Sequence, residues 1–128
     1  MSQSDRIRWN DRYRLGAYQE RTHASVVIQD WVKKTASINS VLDVACGSGR
    51  NALFLSKLGF KVAAIDISGV ALDHARQNAK KQGLSVDWYE HDLEFGLPSE
   101  VTNVFYDLII LIRYVDLDLI ETLSTRLR

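Results

Sequence analysis

The chain has 128 residues, enough for one domain with a real core, because a domain of this size buries roughly two-thirds of the surface its unfolded chain exposes. Sixteen basic residues balance sixteen acidic ones, so no overall charge attracts nucleic acid or an anionic membrane. One cysteine excludes an internal disulfide, the start MSQSDRIRWN lacks the apolar run of a secretory signal, and the longest apolar candidate, VFYDLIILI at 104–112, falls short of the about 20 residues a bilayer span needs. These features predict a soluble protein in a reduced, cytoplasmic setting.

Two helical stretches come first, IRWNDRYR near 6–14 and HASVVIQDWVKKT near 23–35, and they make residues 1–36 an N-terminal helical segment. Trp9 and Tyr13 lie four apart on one face of the first, which favours packing against the rest of the single domain over a mobile cover. From 41 to 128 short apolar runs alternate with helix-period stretches. The strands are predicted at about 41–45 (VLDVA), 61–66 (KVAAID), 85–90 (SVDWYE) and 105–112 (FYDLIILI), with helices near 50–58, 69–82 and 116–127. Gly59 and Gly83 stop the first two of these helices, the second with Lys80 and Lys81 in its last turn, and Leu119, Leu123 and Leu127 recur at four-residue spacing in the third. Strands alternating with crossover helices define the α/β class, a Rossmann-like open parallel sheet with helices on both faces.

Ligands of such sheets bind beyond the carboxyl ends of the strands, and the turn after the first strand reads Gly47-Ser48-Gly49-Arg50-Asn51-Ala52, a G-x-G-x-x-A pattern. The glycines let backbone turn sharply and approach a ligand closely, but alone they fit a nucleotide site or a plain turn. Asp66 ends the second strand seventeen residues after Gly49, where its carboxylate can accept from ribose hydroxyls; the competing role is capping the next helix, which Ser68 can fill instead. Asp92 follows the third strand and can accept from an exocyclic amine, with Leu93 offering a backbone N–H and an apolar contact; the competing role is a solvated loop start. A pyrophosphate wants helix N-terminal amides and no carboxylate nearby, so Asp43 inside the first strand argues against a dinucleotide. It favours an adenosine carrying a cationic ammonium and sulfonium, S-adenosylmethionine.

The stretch DVACGSGRNALFLSKLGFKVAAIDIS, with HDL at 91–93, resembles the first three motifs of the class I S-adenosylmethionine-dependent methyltransferases. GSGRNALFL and the pair Arg113-Tyr114 after the fourth strand are most similar to the small tellurite-resistance and thiopurine-type enzymes. The resemblance implies that Ala45, Gly47 and Gly49 line the methionine part, Asp43 holds its amino group or a water, Asp66 binds the ribose, Ile67 presses on the adenine, and Asp92 with Leu93 meets its edge. Arg113 and Tyr114 would stand nearest the reacting methyl, Arg113 counted with the cofactor-binding residues and the pair either orienting an acceptor or simply solvated, and Trp9, Tyr13 and Tyr18 would fold over the cofactor as a lid. Cys46 reads as a small packing residue, and His23, His74 and His91 show no metal-ligand spacing, so no metal is expected.

Methyl transfer from a sulfonium needs alignment more than acid–base groups, so a small-molecule acceptor is the expectation while its identity stays hidden. The resemblance implies a seven-strand sheet of order 3-2-1-4-5-7-6, and only the 3-2-1-4 half is found here, so the chain is expected to be truncated after STRLR. That leaves the apolar fourth strand as an edge at which self-association is expected. The alternatives are a cofactor-binding or interaction domain without turnover, and a nicotinamide-dependent oxidoreductase.

Overall fold

The computed structural model describes residues 3–15, 24–34, 39–111 and 117–127. Strands covered on both faces must be apolar on both, and β1 (Ser40–Val44) and β2 (Lys61–Asp66) are buried along their lengths apart from Lys61. Successive side chains point to opposite faces. Leu42 and Val44 therefore join Ala63 and Ile65 in one core layer, and Val41 joins Val62 and Ala64 in the other. β3 (Asp87–Glu90) and β4 (Leu108–Leu111) complete a parallel sheet of order β3-β2-β1-β4, with Asp43 in register between Ala64 and Ile110 and Asp66 beside Glu90. Among the described strands β3 and β4 are the edges.

The helices are α1 (Gln3–Arg14), α2 (Val26–Lys34), α3 (Arg50–Lys57), α4 (Gly69–Gln82), α5 (Ser99–Thr102) and α6 (Leu117–Ser124). Ile28 of α2 with Ala52 and Leu55 of α3 cover the Val41 layer. Val101 of α5 and Leu119 and Leu123 of α6 cover the Leu42 layer, so the sheet is wrapped on both sides. Burial of these large apolar side chains is the main favourable term, about 1.5–3 kcal/mol for each Leu, Ile or Val removed from water. No helix among the described residues is long and apolar enough to cross a membrane.

The boundaries follow local chemistry. The Ser68 hydroxyl accepts from the Ala71 N–H at 3.1 Å and caps α4, which closes on Gly83 at φ 67° with Lys80 and Lys81 in the last turn. Several predicted ends shift, α1 beginning at Gln3 rather than near 6 and α2 at Val26 rather than near 23. β3 begins at Asp87 rather than 85. β4 begins at Leu108, because the Asp107 carboxylate turns to accept the N–H groups of Asn39 and Ser40 at 2.9 and 3.0 Å, and Tyr106 pairs by a single bridge with Leu127. That bridge needs extended backbone, so α6 stops at Ser124 and Leu127 is half-exposed while Leu119 and Leu123 are buried. A 3-10 turn at Leu93–Phe95 and the one-turn α5 after Pro98 occupy the segment between β3 and β4, too short to carry a periodic signal.

Candidate functional site

A glycine-rich turn between a strand and a helix must reverse the chain within a few residues, and positive φ is the economical way to do it. Gly47 and Gly49 have φ of 60° and 84°, and Ala45 has φ 60° despite its side chain. The left-handed region costs an L-residue about 1–2 kcal/mol, and such strain concentrates where a backbone is shaped for a ligand. The Cys46 N–H donates to the Ile65 carbonyl at 2.9 Å and the Gly49 N–H to the Cys46 carbonyl at 3.1 Å, which fixes the loop against β2.

Asp66 holds that loop from below. Its Oδ2 accepts from the Gly47 N–H at 2.8 Å and its Oδ1 from the Ser68 N–H at 2.9 Å, so one carboxylate ties the glycine turn to the start of α4. Of the two sequence alternatives the cap of α4 belongs to Ser68, and Asp66 instead braces both loops. Each carboxylate oxygen has a second lone pair, so this bracing leaves capacity to accept further donors. Burial raises its pKa above the usual carboxylate value, against the pull of these amide hydrogen bonds.

Asp43 is 3 % exposed and points to the α3 side of the sheet. Gly49 has no side chain to cap α3, and the Asp43 carboxylate accepts the Ala52 N–H from beneath, three residues into the helix. Its Oδ2 is buried with no hydrogen-bond partner among the described residues. Burial first and the Asp66 carboxylate second push its pKa up to about 7, against the Ala52 amide and the Arg50 guanidinium. Burial, Asp66 and Asp43 likewise push the Cys46 thiol well above its ordinary value, which keeps it protonated and fits a packing residue.

A raised carboxyl has a definite consequence for stability. The unfolded chain releases the Asp43 proton near pH 4 and the native protein near pH 7, so stability falls as pH rises through that window and levels off above it. Asp43→Asn keeps the acceptor for Ala52 and removes the titration. Its melting temperature should exceed that of the wild type at about pH 8, by roughly 4 °C for each kcal/mol relieved, and the difference should shrink towards about pH 4. A pH-independent difference between the two melting curves would contradict the buried charge.

Asp92 is buried, against the solvated alternative, and its Oδ1 accepts from the Glu94 N–H at 3.0 Å as the cap of the 3-10 turn. Ile67 and Leu93 have their side chains in the interior, Leu93 within the α6-side core. The structure therefore brings Asp43, Ala45, Gly47 and Asp66 together, and places Ile67, Asp92 and Leu93 along the adjoining strand ends. Gly49 serves packing: a Cβ there would lie 2.8 Å from Trp88 and 3.1 Å from the Ala75 Cβ. Arg113, Tyr114, Tyr18 and His23 lie outside the described residues.

Sequence reasoning missed most of what fastens α1 over this rim. Arg6 pairs with Glu90, and the Asn10 Oδ1 accepts from the Ser68 hydroxyl at 2.6 Å and the Val70 N–H at 3.4 Å. The Tyr13 hydroxyl approaches so closely that a Cβ on Gly47 would lie 2.6 Å from it. Tyr13 is buried and Trp9 half-buried, their rings 6.1 Å apart. Asn51 in the glycine motif accepts the Ser25 N–H at 2.7 Å and anchors the start of α2. These partners are 26 to 84 residues apart, and no local spacing announces them.

The parallel sheet, the strained glycine turn and the acids at the strand ends define a Rossmann-like domain with its candidate ligand site beyond the carboxyl ends of the strands. The chain belongs to the methyltransferase domain family, whose model matches residues 41–127, within the S-adenosylmethionine-dependent class that the motifs resemble. The ribosomal protein L11 methyltransferase of Symbiobacterium thermophilum is 32% identical over 117 residues, covering 88% of this chain and 37% of that protein. The ubiquinone biosynthesis O-methyltransferase of Actinobacillus pleuropneumoniae is 39% identical over 54 residues, 42% of this chain and 23% of that one. The crystal structure of TehB from Haemophilus influenzae superposes with a TM-score of 0.69 at 21% identity, covering 88% of this chain and 41% of that chain, a likeness of fold. The chain spans about a third of the length of the curated relatives it matches.

Proposed function

We propose that this chain carries the cofactor half of an S-adenosylmethionine-dependent methyltransferase that acts on a small-molecule acceptor. The observation that carries the cofactor assignment is Asp43: a buried carboxyl beside the glycine turn, with one oxygen unpartnered among the described residues, offers a pyrophosphate neither cation nor amide and suits an ammonium or sulfonium. The strained Ala45 fits a loop shaped around a ligand's backbone contacts. In this reading Asp43 faces the amino group, Ala45, Gly47 and Gly49 form the methionine loop, Asp66 accepts from the ribose, and Ile67, Asp92 and Leu93 border the adenine. Arg113 belongs to the acceptor side by resemblance alone. When bound, the cofactor supplies a methyl group already activated by positive charge. The chain's residues then bind and orient, and no covalent enzyme residue is required.

A protein acceptor is the second reading, favoured by the relatives named for ribosomal protein L11, while the ubiquinone relative favours a small molecule. The cytoplasmic setting is part of the same proposal. Calorimetry with S-adenosylhomocysteine and with NAD tests the cofactor: micromolar binding of the first and none of the second is expected, and the reverse would reject it. Labelled-methyl transfer to a panel of small thiols, amines and phenols, set against purified L11, then separates the acceptor classes. A chain that binds the cofactor and labels neither set would favour the domain without turnover.

A further inference from the structure

We propose, resting on the cofactor reading above, that the cationic end of the ligand displaces a proton from Asp43, so that cofactor uptake is proton-linked and strengthens as pH rises. The geometry is that of a carboxyl with one satisfied oxygen and one orphan. The Ala52 N–H donates to it from α3, while the Oδ2 is enclosed with no partner among the described residues. Its register neighbours on both sides, Ala64 of β2 and Ile110 of β4, are apolar and buried, so neither strand supplies a compensating charge.

Among the described residues, the charged and titratable groups that face Asp43 are few. From β2 comes Asp66, of the same sign; from the first turn of α3 comes Arg50, of opposite sign; from the loop comes the Cys46 thiol, held neutral. Asp66 is itself committed to the amides of Gly47 and Ser68 and so presents acceptors, not a cation, to the interior. Two carboxylates enclosed together with one partly exposed guanidinium cannot both carry charge cheaply, and the one with the orphan oxygen is the one that holds a proton. Burial and like charge acting on Asp43 point the same way.

An ammonium arriving at the loop supplies the missing partner. The O–H bond of the Asp43 acid breaks, its electron pair stays on the carboxylate, and the proton leaves to solvent. The products are a carboxylate–ammonium pair and one free proton, so charge and atoms balance. Linkage then makes affinity fall up to about tenfold for each pH unit below the point at which Asp43 titrates, and flatten above it. Binding near neutral pH therefore becomes sensitive to small pH changes without any change in the fold.

The test is calorimetry of the full chain with S-adenosylhomocysteine, which carries the same ammonium, from about pH 5.5 to about pH 8 in paired buffers of low and high ionisation enthalpy. The expected result is an affinity that rises by up to about tenfold per unit and then levels, with close to one proton released at the acid end, read from the difference between buffers. Asp43→Asn, checked for folding by its melting curve, should bind with a flat profile and no released proton. A wild-type affinity independent of pH with no buffer-dependent heat would overturn the proposal, as would proton release that persists in Asp43→Asn, which would assign it to Asp66. Absence of binding at every pH would instead reject the cofactor reading itself.

Discussion

Replacing Asp66 with alanine should weaken S-adenosylhomocysteine binding by roughly ten- to a hundred-fold, the loss of the one or two charge-assisted hydrogen bonds to the ribose that the proposed site assigns to it. The structure adds a second effect that the sequence alone did not contain. The Gly47 and Ser68 N–H groups lose their acceptor, and the Ser68 amide is fully enclosed, so each orphan donor costs about 1–3 kcal/mol. Part of that is offset, because burying the Asp66 charge is itself unfavourable, the same burial that raises its pKa. The net expectation is a fall in stability of about 1–3 kcal/mol together with the loss of affinity. Calorimetry and urea denaturation on the same preparation separate the two. A variant that loses stability yet binds unchanged would make Asp66 a brace between two loops and remove it from the ribose site. Because the wild-type carboxyl titrates above its unfolded value, the stability gap should also narrow as pH rises through the window where Asp66 takes up its charge.

What was legible in advance is what local chemistry encodes. β1 and β2 are largely apolar on both faces, β1 running into the glycine turn and β2 ending in Asp66, so their existence, their parallel pairing and the acid at the β2 rim follow from a dozen residues. Ser68, Gly59 and Gly83 mark helix ends by the same logic. Asp43 was legible as an anomaly, a charge where a strand should be apolar, but not as the residue that caps α3 in place of a glycine without a side chain. The Asp107 carboxylate shortened β4 through amides 67 and 68 residues away, which no window on the sequence contains. The same holds for Arg6 with Glu90 and Asn10 with Ser68, whose pairing depends on where α1 is laid across α4. Sequence patterns report which face of an element is buried; they do not report which polar groups the fold then brings within hydrogen-bond distance.

Gly49→Ala should be among the most destabilising single changes in the molecule, with an expected loss of about 2–5 kcal/mol from two independent sources. The first is conformational, since Gly49 has φ 84° and ψ 20°, a left-handed conformation that costs an alanine about 1–2 kcal/mol. The second is space, because the new methyl would lie 2.8 Å from the Trp88 ring and 3.1 Å from the Ala75 Cβ. The far edge of a tryptophan can yield by turning, but Ala75 is fixed by the backbone of α4, so relief requires the helix to move away from the turn. Overpacking of this kind costs about 1–3 kcal/mol. Gly83→Ala isolates the two terms: its φ and ψ of 67° and 30° impose the same backbone strain, yet a Cβ there meets nothing within 4 Å. Urea denaturation should therefore show Gly49→Ala less stable than Gly83→Ala by about the overpacking cost, and equal losses would mean that α4 and the turn are not in close contact. The same displacement carries Ser68 and Asp66 with it, since the start of α4 and the glycine turn share that one carboxylate. Any Gly49→Ala protein that still folds is accordingly expected to bind S-adenosylhomocysteine at least about tenfold more weakly, whereas Gly83→Ala, at the opposite end of α4, should bind as the wild type does.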